Sequence, residues 1–409
     1  MSADPHPASS DPPPVRERES PLTGLLVADF SRVLAGPLAT MYLADLGATV
    51  VKVERPGSGD DTRAWGPPWT PRASSYFEAL NRGKLSVAWD LGDPDDLAKA
   101  RDLASRADVF VENFMTGTLA KFGLDYPSLS RVNPGIVYAS VSGFGSGAGA
   151  TLPGYDFVAQ AVGGLMSITG EAGGPPQKVG VALVDVLTGK DATIGILAAL
   201  QARATTGIGA HVEVNLFSSV LGALVNQASA FLATGVAPRA MGNAHPSIAP
   251  YEPLRCSDTQ LAVACGNDGQ FARLTAALGI PELAGDPRFA TNADRVAHRT
   301  ALVALLEARL ATDTAAHWEH TVRAAGVACG PVNDIPAAFA EAEELGLAPL
   351  FSVGDDHPQQ VRNPITMSGN NFDRTSAPPD LGEHTTEIER WLSSDEPLPS
   401  IAHPTRSSA

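Results

Sequence analysis

The sequence predicts an α/β fold: a large domain built on a parallel sheet covered on both faces, joined to a smaller α/β domain. Three observations carry this. Strand-like apolar runs alternate with helical patterns through the first 145 residues, which indicates a parallel sheet. A chain of 409 residues is long enough for two cores. The pattern also changes character near Ala240, where mixed strands and amphipathic helices replace the earlier rhythm.

The elements follow in order. "LLVADF" (25–30) reads as a strand, "PLATMYLADLG" as a helix that opens near Pro37 and stops at Gly47, and "TVVKVE" (49–54) as the next strand, completing a βαβ unit. "KLSVAWDL" continues as a strand, "DPDDLAKARDLASRA" as a helix started by Asp and Pro, and "DVFVENF" as a strand. Two helical pieces, "GTLAKFGL" and "YPSLSRVN", precede the strand "GIVYASVSGFG". The run Val179–Val184 reads as a further strand that meets Asp185 and turns into a helix of small residues. Residues 193–235 read as that helix, a Gly-rich turn, the strand around "AHVEVN" and one long apolar helix. In the smaller domain "TQLAVACG" is a strand, "DGQFARLTAALG", "HRTALVALLEARLATD" and "TAAHWEHTVRAAG" are helices, and "VACGPV" is a strand. The last sixty or so residues read as loops with short strands.

In doubly covered parallel sheets, of Rossmann-like type, ligands gather at the C-terminal strand ends. The loops there carry Ser31, Arg32, Arg55, Arg63, Asn113 and Lys121. Basic residues at strand ends of an otherwise acidic chain suit an anionic, phosphate-bearing ligand.

Composition excludes several classes. A net charge of −16 and a pI near 4.9 argue against nucleic acid and anionic membrane surfaces, which bind clustered Lys and Arg. No run reaches the ~18 apolar residues of a membrane span. Cys256, Cys265 and Cys329 are too scattered for a disulfide framework, and a reducing cytoplasm is expected. The N-terminal twenty residues lack an apolar h-region and read as a disordered tail, as does the Pro/Ser-rich C-terminus. Dispersed histidines show no ligand spacing, so no metal site is expected.

The sharpest local question is Asp185, a carboxylate in apolar surroundings. Taken on this segment alone, an N-cap is the better reading, since Asp is a favoured cap residue. "GFGSGAGA" (143–150) follows a strand but does not open into a helix, so it reads as a Gly loop and not as a dinucleotide fingerprint. His245, in the Gly/Asn/Pro-rich "GNAHPSIAPY", is either a surface-turn residue or a substrate contact.

Several segments together resemble one family. "GLLVADFSRVLAGPLATMYLADLGATVVKVERPGSGDDTRAWGPPW", "DVFVENFMTGTLAKFGLDY", "GYDFVAQAVGGLMSITGE", "GVALVDVLTG", "GVACGPVNDI" and "PPDLGEHTTEI" are similar to class III CoA-transferases, the CaiB/BaiF or formyl-CoA transferase family. The similarity runs from about residue 21 to 392. It implies that Asp185 is the catalytic nucleophile. By motif, Val33, Arg55 and Asn113 match CoA contacts, Lys121 stands where formyl-CoA transferase has Arg, and Arg32 joins them from its loop. Leu34 replaces that enzyme's substrate-contacting Gln, which weighs against formate or oxalate. Leu34, Tyr155, Asp156 and His245 are the substrate-contact candidates.

The resemblance further implies an interlocked homodimer and CoA as substrate and product, with no permanently bound cofactor. Residues 21–235 would be the CoA-binding domain, 236–345 the small domain and 346–392 a return to the large one, between tails 1–20 and 393–409. "MGNAHPSIAPYEPL", "GLMSITG" and "CGPVND" look closest to the succinyl-CoA:dicarboxylate (hydroxymethylglutarate or glutarate) branch. An α-methylacyl-CoA racemase of the same superfamily is the alternative. It would need a His where "GYD" has Tyr155, and a phenol with an ordinary pKa of ~10 is a poor second base. The expected chemistry is attack by Asp185 on an acyl-CoA thioester, then transfer of CoA to a carboxylic acid acceptor. At an ordinary pKa of ~3.9 the carboxylate would be ionised at neutral pH, and a helix N-terminus would help to keep it charged.

Overall fold

The computed structural model describes residues 19–368, 376–394 and 396; most of the two expected tails lie outside the described residues. The chain divides into two units. Of the described residues, one comprises 19–159, 182–223 and those from 348 onward, the other Gln160–Val181 and Leu224–Leu347.

The first unit holds β1 (Leu26–Asp29), α1 (Ala35–Asp45), β2 (Thr49–Glu54), α2 (Ser75–Glu78), β3 (Lys84–Ala88), α3 (Pro94–Arg106), β4 (Val109–Glu112), α4 (Tyr126–Val132) and β5 (Val137–Ser142). After α5 (Asp156–Val162), which runs out of this unit, come α6 (Leu183–Thr206), β6 (Ala210–Asn215) and α7 (Leu216–Ala223). The six strands are all parallel, in the order β3-β2-β1-β4-β5-β6. This is the doubly wound order, whose direction of winding reverses between β1 and β4.

Alternation of side chains along each strand sorts the core into two layers. Leu26, Ala28, Phe110 and Tyr138 pack towards α3 and α4, while Val27, Val109, Val137 and Ala139 pack towards α1 and α6. The small residues that open α6 have a steric purpose. A methyl group on Gly189 would lie 2.7 Å from the Ala35 carbonyl oxygen, so α1 and α6 touch backbone to backbone there.

The second unit continues with α8 (Val225–Thr234), β7 (Tyr251–Arg255), β8 (Gln260–Ala264), α9 (Asp268–Ala277), α10 (Asn292–Ala297), α11 (Arg299–Leu310), α12 (Ala315–Ala324), β9 (Ala328–Pro331) and α13 (Ile335–Glu344). Its antiparallel sheet β7-β8-β9 closes a separate core with Phe271, Leu274, Leu302, Leu306 and Trp318. The chain then supplies β10 (Leu350–Phe351), β11 (Gln360–Val361) and α14 (Thr385–Leu392) to the first unit.

Four expectations need correction. Val179–Val184 is not a strand: its N-terminal half runs as a loop, and helix starts at Leu183. A ladder is not needed there, because the Gln160 amide serves the backbone instead, accepting from Val179 N at 2.9 Å and donating to the Val181 oxygen at 3.4 Å. Asp185 is also not the N-cap of α6; that position is Ala182, which makes no side-chain cap bond. The long apolar helix is broken at Leu224 into α7 and α8, with Val225 in the left-handed region at φ 31°. Lastly, α14 forms within the stretch read as loops and strands, and seats Ile388, Trp391 and Leu392 in the core beside β3. Among the described residues no single helix is long and apolar enough to cross a membrane.

Candidate functional site

The reversal between β1 and β4 leaves a crevice at their C-terminal ends, and the loop after β1 lies over it. Asn113, just past β4, clamps that loop. Its side-chain oxygen accepts from Arg32 N at 2.8 Å and its amide donates to the Arg32 carbonyl at 2.6 Å. The next residue, Val33, has φ 71°, a left-handed conformation that strains a β-branched residue. Its N–H reaches the Asp60 carboxylate at 3.2 Å.

Asp60 is itself buried and receives Lys52 Nζ at 2.9 Å. Burial would raise its carboxyl, but the Lys52 ammonium and the Thr62 hydrogen bonds outweigh this and hold it at about 2. Lys52 also donates to the Ser31 carbonyl, and Asp29 is kept below its ordinary value by Lys84 and Lys52 despite complete burial. A charged network beneath the sheet end therefore fixes the strained loop.

The start of α6 faces the same crevice. Asp185 is the third helical residue, and the N–H groups of this first turn have no partners within the helix. Asp156, at the start of α5, supplies them: one carboxylate oxygen accepts from Val184 N at 2.8 Å and from Asp185 N at 3.3 Å. Burial first, and the Asp156 charge second, push Asp185 up to about 7. The expectation that the helix start would keep it near an ordinary aspartate is thus reversed, because burial and a like charge outweigh the dipole. The Tyr76 phenol shares this field and is pushed up to about 12 by burial and then by Asp185 and Asp156.

A cavity of about 280 Å³ collects Arg32, Val33, Leu34, Asn113, Tyr155 and Asp185. Its outer wall is the glycine loop. A methyl group on Gly154 would sit 2.3 Å from Gly143 Cα, so the two backbones cross in contact, and this, rather than flexibility, requires the glycines. A second cavity of about 240 Å³ adjoins at the ends of β2 and β3, with Arg55, Trp89, Leu91 and Phe122 in its walls. Arg32 and Phe114 line both, with the guanidinium carbon 5.2 Å from the ring centre.

Of the residues singled out in the sequence, six meet in the first cavity and Arg55 lines the second. Asp61 sits between the arginines, 2.9 Å from Arg32 and 3.8 Å from Arg55. Lys121 lines neither cavity; it is exposed, with its ammonium 4.6 Å from the centre of the Phe122 ring. Asp156 turns its carboxylate to the α6 amides and is not part of the cavity wall. His245 belongs to the second unit, where its ring lies 5.2 Å from that of Tyr251. Sequence reasoning passed over Phe114, Tyr76, Asp60 and Lys52. A lysine inside the apolar strand "TVVKVE" was the available signal, since a buried ammonium demands a carboxylate partner.

Among the described residues the first cavity has the half-buried Asp185 carboxylate and Arg32 in its wall, with no Cys or His. Such a carboxylate can attack a carbonyl without a general base once it is ionised.

The sequence model of CoA-transferase family III matches residues 22–385. The chain is 42% identical over 381 residues to the succinate–glutarate CoA-transferase of Agrobacterium fabrum, covering 91% of this chain and 95% of that protein. It is 41% identical over 353 residues to the acetyl-CoA:oxalate CoA-transferase of Acetobacter aceti, covering 86% and 90%. The crystal structure of a CAIB/BAIF family protein from Brucella suis matches with a TM-score of 0.82 at 44% identity, over 92% of this chain and 100% of that one.

Proposed function

Because the chain belongs to CoA-transferase family III, we propose that this enzyme moves CoA from succinyl-CoA, or another dicarboxylyl-CoA, to a dicarboxylic acid acceptor such as glutarate, with Asp185 as nucleophile. The observation that carries the reading is Asp185 at the start of α6, facing a cavity that opens beside Arg32 onto a second one. Two adjoining cavities suit a long ligand. The thioester would lie at Asp185, the nucleotide end among Arg55, Trp89 and Phe122, and Arg32 and Arg55 would meet phosphate oxygens, with Lys121 adding charge from outside.

The chemistry balances without a cofactor. An Asp185 oxygen attacks the thioester carbonyl; the carbon–sulfur bond breaks, giving a mixed anhydride and CoA thiolate. The thiolate attacks the aspartyl carbonyl, the donor acid leaves, and an aspartyl-CoA thioester remains. The acceptor carboxylate attacks that thioester, again expelling thiolate, and the thiolate then takes the acceptor's acyl carbon, returning Asp185 as carboxylate. Each exchange is nearly balanced in energy, so the site has chiefly to position the partners and exclude water. Asn113 contributes by holding the Arg32 backbone in place.

Isomerase chemistry would need two bases facing one α-carbon. Asp156 already spends its carboxylate on two backbone amides, and Tyr155 is a phenol, so the transferase reading stands ahead. A homodimer in the cytoplasm belongs to the same reading. In support, α8 buries none of its residues and leaves Leu232 81% exposed, an apolar surface of the kind that subunits cover.

The experiment is direct. Incubation with succinyl-CoA and hydroxylamine should leave a hydroxamate on the peptide that contains Asp185, and Asp185→Ala should form none. A panel of succinyl-CoA and acetyl-CoA donors against glutarate, mesaconate and oxalate should show succinyl-CoA with glutarate as the best pair. Normal turnover by Asp185→Ala would overturn the assignment.

A further inference from the structure

The geometry points to Asp156 as a positioning residue that both fixes the start of α6 and sets the protonation of Asp185, so that the nucleophile's basicity is a property of the pair. The inference rests on Asp185 being the nucleophile. Asp156 lies 28 positions before Val184 in sequence, yet its carboxylate takes the N–H of Val184 at 2.8 Å and that of Asp185 itself at 3.3 Å. No residue at the helix start does this, since the cap residue is Ala182. A single carboxylate thus replaces the local cap and stands beside the reactive one.

The two roles pull in opposite directions chemically. Capping fixes the backbone from which Asp185 projects, while the like charge disfavours ionisation of Asp185 and makes the ionised form a more basic nucleophile. The other groups around Asp185 do not supply this effect. Tyr76 and Tyr155 are phenols, and Arg32 is engaged by Asp61 at 2.9 Å. The α1 helix, packed on α6, brings Tyr42 and Asp45, and Asp45 is matched by Arg82 at 2.7 Å. On α7 no titratable residue occurs, and His211 and Glu213 of β6 line a different cavity from Asp185.

The test separates cap from charge. Asp156→Asn keeps an oxygen that accepts from the α6 amides but removes the charge; Asp156→Ala removes both. The profile of kcat/KM for succinyl-CoA against pH reports the free enzyme. In Asp156→Asn its acidic limb should move to lower pH by about one unit, the scale of a like-charge neighbour, with the thermal midpoint close to wild type. Asp156→Ala should lose kcat/KM at every pH. Hydroxylamine trapping at pH 6 should label Asp185 more heavily in Asp156→Asn than in wild type. An acidic limb that superimposes on wild type, with normal labelling of Asp185, overturns the role of Asp156 alone. Labelling that persists in Asp185→Ala overturns the nucleophile itself.

Discussion

Replacing Asp185 by Asn should stabilise the protein, and more so at high pH. A carboxyl raised from its ordinary 3.8 to about 7 binds its proton more tightly in the folded chain than in the unfolded one. Its contribution to stability is therefore intact below pH 3.8 and is lost as pH rises through about 7. Three pH units at about 1.4 kcal/mol each give a ceiling of about 4 kcal/mol. Asp185 is only half-buried, so water returns part of this, leaving about 1–2 kcal/mol. Asn carries no charge and escapes the penalty, while keeping the shape of the side chain. Urea unfolding at pH 8 should show a gain of about 1–2 kcal/mol for Asp185→Asn, and at pH 5 less than half of it. The same variant should form no hydroxamate, a trade of stability for function. An equal gain at both pH values, or none at pH 8, would refute the claim that burial and Asp156 hold this carboxyl up.

Asn113→Ala removes two hydrogen bonds to Arg32; at about 0.5–1.5 kcal/mol each it should raise KM for succinyl-CoA about 5- to 150-fold, with a smaller change in kcat, in steady-state assays. Asp61→Asn frees Arg32 and Arg55 for phosphate and should lower that KM about two- to fivefold at low ionic strength, with the difference fading as salt is added; a raised KM would contradict the placement of CoA beside these arginines. Lys52→Met strands the buried Asp60 carboxylate and should cost about 3–5 kcal/mol in denaturant unfolding, part of which Asp60→Asn in the same chain should restore.

The parallel strands and covering helices of the large sheet were legible because each is written in local pattern, whereas their spatial order β3-β2-β1-β4-β5-β6 comes from the structure. Pro94 and the acidic turn before it announce α3, and Asp93 does cap it, accepting from Asp95 N and Asp96 N. What local pattern could not give is anything decided by a distant partner. Val179–Ala182 has the residues of a strand but meets the Gln160 amide instead of a neighbouring strand. The helix α14 has a clean amphipathic face, yet its eight residues among prolines and glycines look like loop until Ile388 and Trp391 find the core beside β3. The break at Leu224 carries no proline, and Gly222 is the one weak signal beside it.

The site divides along the same line. Arg32, Val33, Leu34, Asn113 and Asp185 could be nominated because strand ends and motif similarity select them one by one, and the structure brings them to one cavity. The relations between them were not readable. That Asn113 grips backbone rather than facing outward depends on the register of β4 against β1, Val27 opposite Val109. That Asp185 is not the cap depends on a carboxylate 28 or 29 positions away, contributed by a different helix. A capping rule applied to "VALVDVLTG" places the burden on the only acidic residue in view. In the folded chain the helix start accepts its carboxylate from Asp156, which leaves Asp185 free to face the cavity and close enough to Asp156 to feel its charge. A carboxylate from another helix thus serves the α6 backbone, and Asp185 stays on the cavity wall.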